Sequence, residues 1–372
     1  MPQMSILYDE GQQAIATESR RVLDARTSKQ RLLALLEQTG TFDQLFWDTA
    51  VEQGWTALAI PEAHGGLGLG LVELGLVAQA TGAATAGAPF LTPGYGIALA
   101  IMGSGNADIQ AQWLPRLAAG EILGAVALAE GTAPLPTRPA VRYAGGALNG
   151  TKHAVPGGLK ADIALVWAEA DGAPALVLAE LADAARTPVE SFDNTRLYAD
   201  LTFAGTPATV LAAGGAAKAL ALEILARMAI VTAHEQVGGA EALMLTARDY
   251  ALTRRAFGQP IGAFQSVKHR IAELYGLVEI ARANCIHAAG LADGGQADLT
   301  ALMIAAADAR LAATETYDTC ARDCVQVHGG IGVTWEAGIH LHMRRTRSLA
   351  IELGNMLFWE DLLVENLTGV AA

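Results

Sequence analysis

Glu352 sits in the run RSLAIELGN (347–355), with Ile351 and Leu353 on either side and Gly354 two residues on. A carboxylate with apolar neighbours is costly to bury charged, and apolar walls raise its pKa towards neutrality, where a general base works best. Glu352 is thus a candidate base, or else a helix residue whose side chain faces water. The chemistry available elsewhere in the chain has to decide.

A second concentration of useful side chains is TRRAFGQPIGAFQSVKH (253–269). Arg254 supplies a guanidinium for a phosphate, Phe257 an aromatic face for a ring, and Gln265 an amide for paired hydrogen bonds. A third, CVQVHGGIGVTWE (324–336), ends a helix at paired glycines and adds Gln326 with bare backbone amides around Gly329 and Gly330. Together the two segments can grip a dinucleotide along its pyrophosphate. Taken singly, each also reads as a helix-ending turn. GGALNG (145–150) is turn and strand punctuation with no helix after it, so a dinucleotide fingerprint is rejected. Cys320, Cys324 and His328 stand at i, i+4 and i+8 but lack a fourth ligand, and buried thiols are the better reading. His340 and His342 diverge on a helix and read as surface residues. The basic clusters Arg344, Arg345, Arg347 and Arg254, Arg255 read either as anion sites or as solvated helix ends.

The elements that must position these groups fall into three parts. Residues 1–120 read as helical, with amphipathic stretches at 30–38 and 42–53 and a break at IPEAHGGLGLG (60–70), where Pro and repeated Gly make a tight loop. Residues 121–211 carry short β-prone runs between Gly, Asn, Asp and Pro turns. Residues 212–372 are helical again, in segments 215–252, 266–292, 298–327 and 339–367, whose short connections suit an antiparallel four-helix bundle. Val267, Ile271, Leu274, Val278, Ala281 and Cys285 form one apolar stripe. Gly238 and Gly239, inside a helix, mark a close helix crossing. The expected fold class is α+β and mostly α.

With 372 residues, 52% hydrophobic and 17% charged, the chain is expected to be a compact enzyme-sized protein. A net charge of -13 speaks against nucleic acid and anionic membranes as partners. Apolar runs too short for a membrane span, three sparse cysteines and the absence of a secretion-signal layout point to the cytoplasm.

The pairing of RRAFGQPIGAFQ with VQVHGGIGVTWE, preceded by GWTALAIPEAHGGLGL and LNGTKHAV, resembles the acyl-CoA dehydrogenase family over most of the chain. The resemblance implies a helical–β–helical subunit, FAD as cofactor, an acyl-CoA substrate, an electron-transfer acceptor, and an oligomer in which one subunit's bundle grips the ADP half of a neighbour's FAD. By it, Arg254 meets the pyrophosphate and Phe257, Gln265, Gln326, Gly329 and Gly330 hold the ADP half. The middle domain departs from the family pattern. LAEGTAPLP (128–136) keeps Glu130 but not the Gly-Ser-Asp, and Ala154, Val155, Pro156 stand where the family has Trp-Ile-Thr, leaving backbone around Val155 to meet the flavin ring. The family's base lies 27 residues after Gln326, which is Leu353; its minority location, 26 residues before Arg254, is Met228. Glu352 is one residue early, a turn of about 100° on a helix.

Three readings follow. The chain dehydrogenates an acyl-CoA at Cα–Cβ with Glu352 as a displaced base. Or it is a non-catalytic partner subunit, gripping the flavin of a related chain in a heteromer acting on bulky, steroid-like thioesters. Or it is a flavin monooxygenase of the same fold, needing no α-proton base.

Overall fold

The computed structural model describes residues 7–87, 91–295 and 298–369. The N-terminal part comprises α1 (Glu10–Arg26), α2 (Lys29–Glu37), α3 (Gln44–Glu52), α4 (Leu71–Ala83), α5 (Leu91–Gly103) and α6 (Ala107–Ala118). Side chains stop and start these helices: Ser28, Asp43 and Asn106 each accept a hydrogen bond from a free N–H of the following first turn. The 60–70 loop folds back on itself, with Gly66 N donating to Pro61 O and Leu67 N to Ala57 O. A Cβ on Gly66 would lie 1.8 Å from Ile60 O, so this glycine is required by packing.

Seven strands follow: β1 (Gly124–Ala127), β2 (Arg142–Ala144), β3 (Ala147–Val155), β4 (Ile163–Ala170), β5 (Ala173–Glu180), β6 (Ala185–Pro188) and β7 (Ala199–Ala213). β4 pairs β2, β2 pairs β3, β3 pairs β7, β7 pairs β5, and β5 returns to β4, so the sheet closes into a small barrel. The period-2 alternation of β4 sends Ala164, Val166 and Ala168 inward and Ile163, Leu165 and Trp167 outward. The small side chains of β4 join Leu148, Leu201 and Phe203 inside the barrel, while its large ones pack on α5 and α6.

The C-terminal helices are α7 (Gly214–Thr253), α8 (Gln265–Asp293), α9 (Leu299–His328), α10 (Ile339–Leu349) and α11 (Met356–Thr368). The single helix expected over 339–367 is therefore two. Leu353 and Gly354 take left-handed backbone, with φ 59 and 104, and Asn355 caps a new helix by accepting from Phe358 N. The crossing expected at Gly238 is present: a Cβ there would lie 1.9 Å from Gln79 O of α4, and one on Gly82 would lie 1.9 Å from Glu235 O of α7. Of the α8 stripe, Leu274, Val278, Ala281 and Cys285 are buried, while Val267 and Ile271 are half-buried. No helix among the described residues is long and apolar enough to cross a membrane.

Candidate functional site

Glu352 lies at the break between α10 and α11 and is 9% exposed. Its carboxylate accepts three hydrogen bonds from two side chains. Arg196 donates from Nε to Oε1 at 2.9 Å and from Nη2 to Oε2 at 2.6 Å, and the Tyr198 hydroxyl donates to Oε1. This is the bidentate geometry of a strong guanidinium–carboxylate pair. Arg196 also reaches Glu235 of α7 at 3.4 Å, Glu235 accepts from Arg345 of α10 at 2.8 Å, and Arg345 donates to Asp193 at 2.6 Å. Arg310 of α9 donates to the backbone carbonyls of Leu349 and Glu352, fixing the break itself. Three guanidiniums and three carboxylates are thus buried together, in balance.

Burial works against the Arg196 charge, but Glu352 and Glu235 outweigh it and raise its pKa well above the ordinary value. Burial first, and the Glu352 charge next, push the Tyr198 hydroxyl well up, so it remains a donor. Burial would raise Asp193, yet Arg345 and the Thr195 hydroxyl together hold it below the ordinary carboxylate range.

Beside this network lies a cavity of about 70 Å³ lined by Thr92, Pro93, Val126, Leu128, Pro134, Pro156, Met228, Glu352 and Leu353, among others. Leu353 and Met228, both apolar, thus share it with the edge of Glu352. Its barrel-side wall is held from behind. Lys152, fully buried, donates to Glu130 Oε1 at 2.6 Å and to Leu128 O at 3.2 Å, and burial lowers its pKa to about 8. Ala154, with φ 48, is fixed by its N–H donating to Asp200 at 2.8 Å. Val155 is buried in the barrel core, next to Pro156 of the cavity wall.

Arg254, Phe257, Gln265, Gln326, Gly329 and Gly330 are all exposed, at the far end of the bundle. The Tyr250 ring stacks on His328 at 4.1 Å and brings the two loops together. Arg254 has no carboxylate partner among the described residues, Phe257 is 96% exposed, and nothing lies within 4 Å of a Cβ on Gly329 or Gly330. Met228 of α7 and Arg254, the residue that ends that helix, are 26 residues apart, or roughly 39 Å.

The remaining candidates are structural. Cys320 and Cys324 are buried with thiol pKa values pushed up to about 12 by burial, and no metal-binding group occurs among the described residues. Contrary to expectation, His340 and His342 are half-buried: His340 stacks on Trp335 and His342 bonds the Tyr317 hydroxyl. Arg345 is a buried ion-pair member, not a solvated helix end, and Arg347 pairs with Asp318. Arg196, Tyr198, Glu235 and Arg310 carry no signal in the sequence pattern.

Family models for the acyl-CoA dehydrogenase N-terminal and C-terminal domains match residues 9–121 and 218–356. Acyl-CoA dehydrogenase IpdE2 of Mycobacterium tuberculosis is 34% identical over 311 residues, covering 83% of this chain and 82% of that protein. This chain belongs to the acyl-CoA dehydrogenase family. It is an acyl-CoA dehydrogenase-type oxidoreductase, and its cofactor is FAD. Among solved structures, a variant of the Tcur3481-Tcur3483 steroid ACAD superposes with a TM-score of 0.85 at 28% identity, covering 97% of this chain and 98% of that one. The fold of a glutaryl-CoA dehydrogenase of Mycobacterium smegmatis, in complex with FADH2, matches with a TM-score of 0.88 at 22% identity, covering 100% of this chain and 97% of that one.

The residues present fit FAD unevenly. The exposed loops offer a free guanidinium and open glycine backbone, suited to a pyrophosphate. The 70 Å³ cavity is far below the roughly 300–1,000 Å³ of a cofactor-sized pocket and does not fit an isoalloxazine ring.

Proposed function

We propose that this chain is the flavin-gripping subunit of a two-chain acyl-CoA dehydrogenase, with the α-proton base supplied by a related partner. The observation that carries this reading is the state of the base positions. Both cavity residues at which the family places a carboxylate, Leu353 and Met228, are apolar, and the nearby Glu352 is occupied by Arg196 and Tyr198. A base must offer a free lone pair to the substrate Cα proton, and Arg196 and Tyr198 already take three of the roughly four lone-pair sites on the Glu352 carboxylate, only an edge of which lines the cavity.

FAD supplies the hydride acceptor when bound. Arg254 would neutralise the pyrophosphate, Phe257 and Gln265 would hold the adenosine side, and Gln326 with Gly329 and Gly330 would close the opposite wall. These groups stand roughly 39 Å along α7 from this chain's own cavity. One dinucleotide cannot bridge that span, which supports a grip facing another subunit. A structure named for two chains, the steroid ACAD Tcur3481-Tcur3483, supports both a heteromeric assembly and a bulky steroid-type thioester substrate.

The test is to purify the chain alone and with a family member carrying Glu before the corresponding Gly, then add steroid-type and linear acyl-CoAs anaerobically. The expected result is colourless protein alone, and flavin bleached by acyl-CoA in the pair. Yellow protein alone, bleached by acyl-CoA in a way that Glu352→Gln abolishes, would instead establish Glu352 as the base and end this reading.

A further inference from the structure

A second cavity, of about 480 Å³, lies between α1, α4, α7 and α8, where the N-terminal helices meet the bundle. It shares no lining residue with the Leu353 cavity. Met228 lines one and Glu241 the other, 13 residues or roughly 20 Å apart along α7. Its volume falls within the range of small-molecule sites. The body of the wall is apolar, built by Leu76, Met244, Leu245 and Ile271, with Ala272 at its exposed rim. Met244 is a side chain that adapts to varied apolar shapes.

Charge is distributed unequally along it. α7 and α8 run antiparallel from the 254–264 connection, so Arg248 and Lys268 share the end near that connection, while Glu241, Glu279 and Arg282 share the other. At the deep end the charges balance. Glu241 is shared by Arg20 at 2.6 Å and Arg282 at 2.9 Å, and Arg282 also meets Glu279 at 3.4 Å and Gln79 at 2.8 Å. At the outer end Arg248 has its neighbour Asp249 at 2.7 Å, and Lys268 has no acidic partner among the described residues. A surplus cation at the mouth of an apolar cavity favours a bound anion locally, against the chain's overall charge of -13.

We propose that this cavity binds an amphipathic carboxylate, an aliphatic or alicyclic acid. Its body lies against Leu76, Met244 and Ile271 and its carboxylate meets Lys268. The site shares no lining residue with the flavin grip or the Leu353 cavity, and since Lys268 stands one turn from Gln265 the Arg254→Ala variant keeps the proposal distinguishable from the proposed function.

Decanoate, decan-1-ol and decyltrimethylammonium, titrated calorimetrically into the purified full chain, test it. Decanoate should bind saturably, with decan-1-ol weaker and the cation weakest. Lys268→Glu should weaken decanoate by about tenfold and leave decan-1-ol unchanged. Ala272→Trp, at an exposed rim position, should abolish both. Absence of decanoate binding overturns the proposal. So does binding that survives Ala272→Trp, or binding lost in Arg254→Ala alone, which would place the acid on the flavin grip.

Discussion

Glu352 gives its two oxygens to Arg196 and Tyr198, which stand 156 and 154 positions earlier in the chain. At that separation no local spacing announces the pairing. A glutamate one residue from the place where a base belongs, and Leu353 in that place, are both legible in the sequence. The guanidinium that claims Glu352 is not, because a buried ion pair is specified by the tertiary fold and not by periodicity. If Glu352 is a counter-ion, Glu352→Gln leaves the Arg196 charge buried with reduced compensation. Unfolding in urea should then show a loss of about 3–5 kcal/mol. The turnover per bound flavin of an assembled enzyme should be unchanged. A base would give the opposite pattern, normal stability with turnover lost.

Helix boundaries read from sequence lie close to those of α7, α8 and α9, since these helices are long and periodic. The break between α10 and α11 escapes such a reading. Apolar residues continue through it at helical spacing, and the left-handed backbone of Leu353 and Gly354, Asn355 as a cap and Arg310 on the Leu349 and Glu352 carbonyls together end one helix and begin the next. Close approach of α4 to α7 is legible in Gly238 and is testable there. Gly238→Ala forces a Cβ to within 1.9 Å of Gln79 O and should cost about 3 kcal/mol or prevent folding. Gly276→Ala, on α8 with nothing within 4 Å, should stabilise by about 0.5–1 kcal/mol in the same denaturation assay.

The same α4–α7 contact carries an acid sensitivity. His234 is 1% exposed, bonds Gln79 at 2.9 Å, and has its pKa lowered to about 4, first by burial and further by Arg282. Its folded pKa is below the unfolded value of 6.5, so the unfolded chain binds the proton first as pH falls. Stability should be complete above pH 6.5 and decline between pH 6.5 and about 4, by on the order of 3 kcal/mol. Urea midpoints measured at pH 7.5 and 4.5 report this loss. His234→Gln should shrink the difference, whatever its effect on stability at pH 7.5.

At the scale of the whole molecule, the middle of α7 and its C-terminal end differ in kind. Near Met228 the chain is closed, with charges paired, a small apolar cavity and Lys152 and Glu130 bracing its wall. Near Arg254 the chain is open, with a guanidinium, a phenyl ring and glycine backbone presented to solvent. These groups contribute little to the fold: Phe257 is 96% exposed and meets the Phe264 ring edge-on at 6.2 Å, and Arg254 has no carboxylate partner among the described residues. On the proposed function they serve binding in trans. That asymmetry makes a directional prediction. In a two-chain assembly, Arg254→Ala here should cut flavin retained per assembly by at least about tenfold, as one charge-assisted phosphate contact is lost. The isolated chain's urea midpoint should not move, because Arg254 is exposed and unpaired. Substituting the partner's equivalent arginine should leave flavin content near normal, since the grip it would form faces this chain's closed cavity. Equal flavin loss from either substitution would mean that both chains hold a ring, and this chain's cavity would then have to open to admit one.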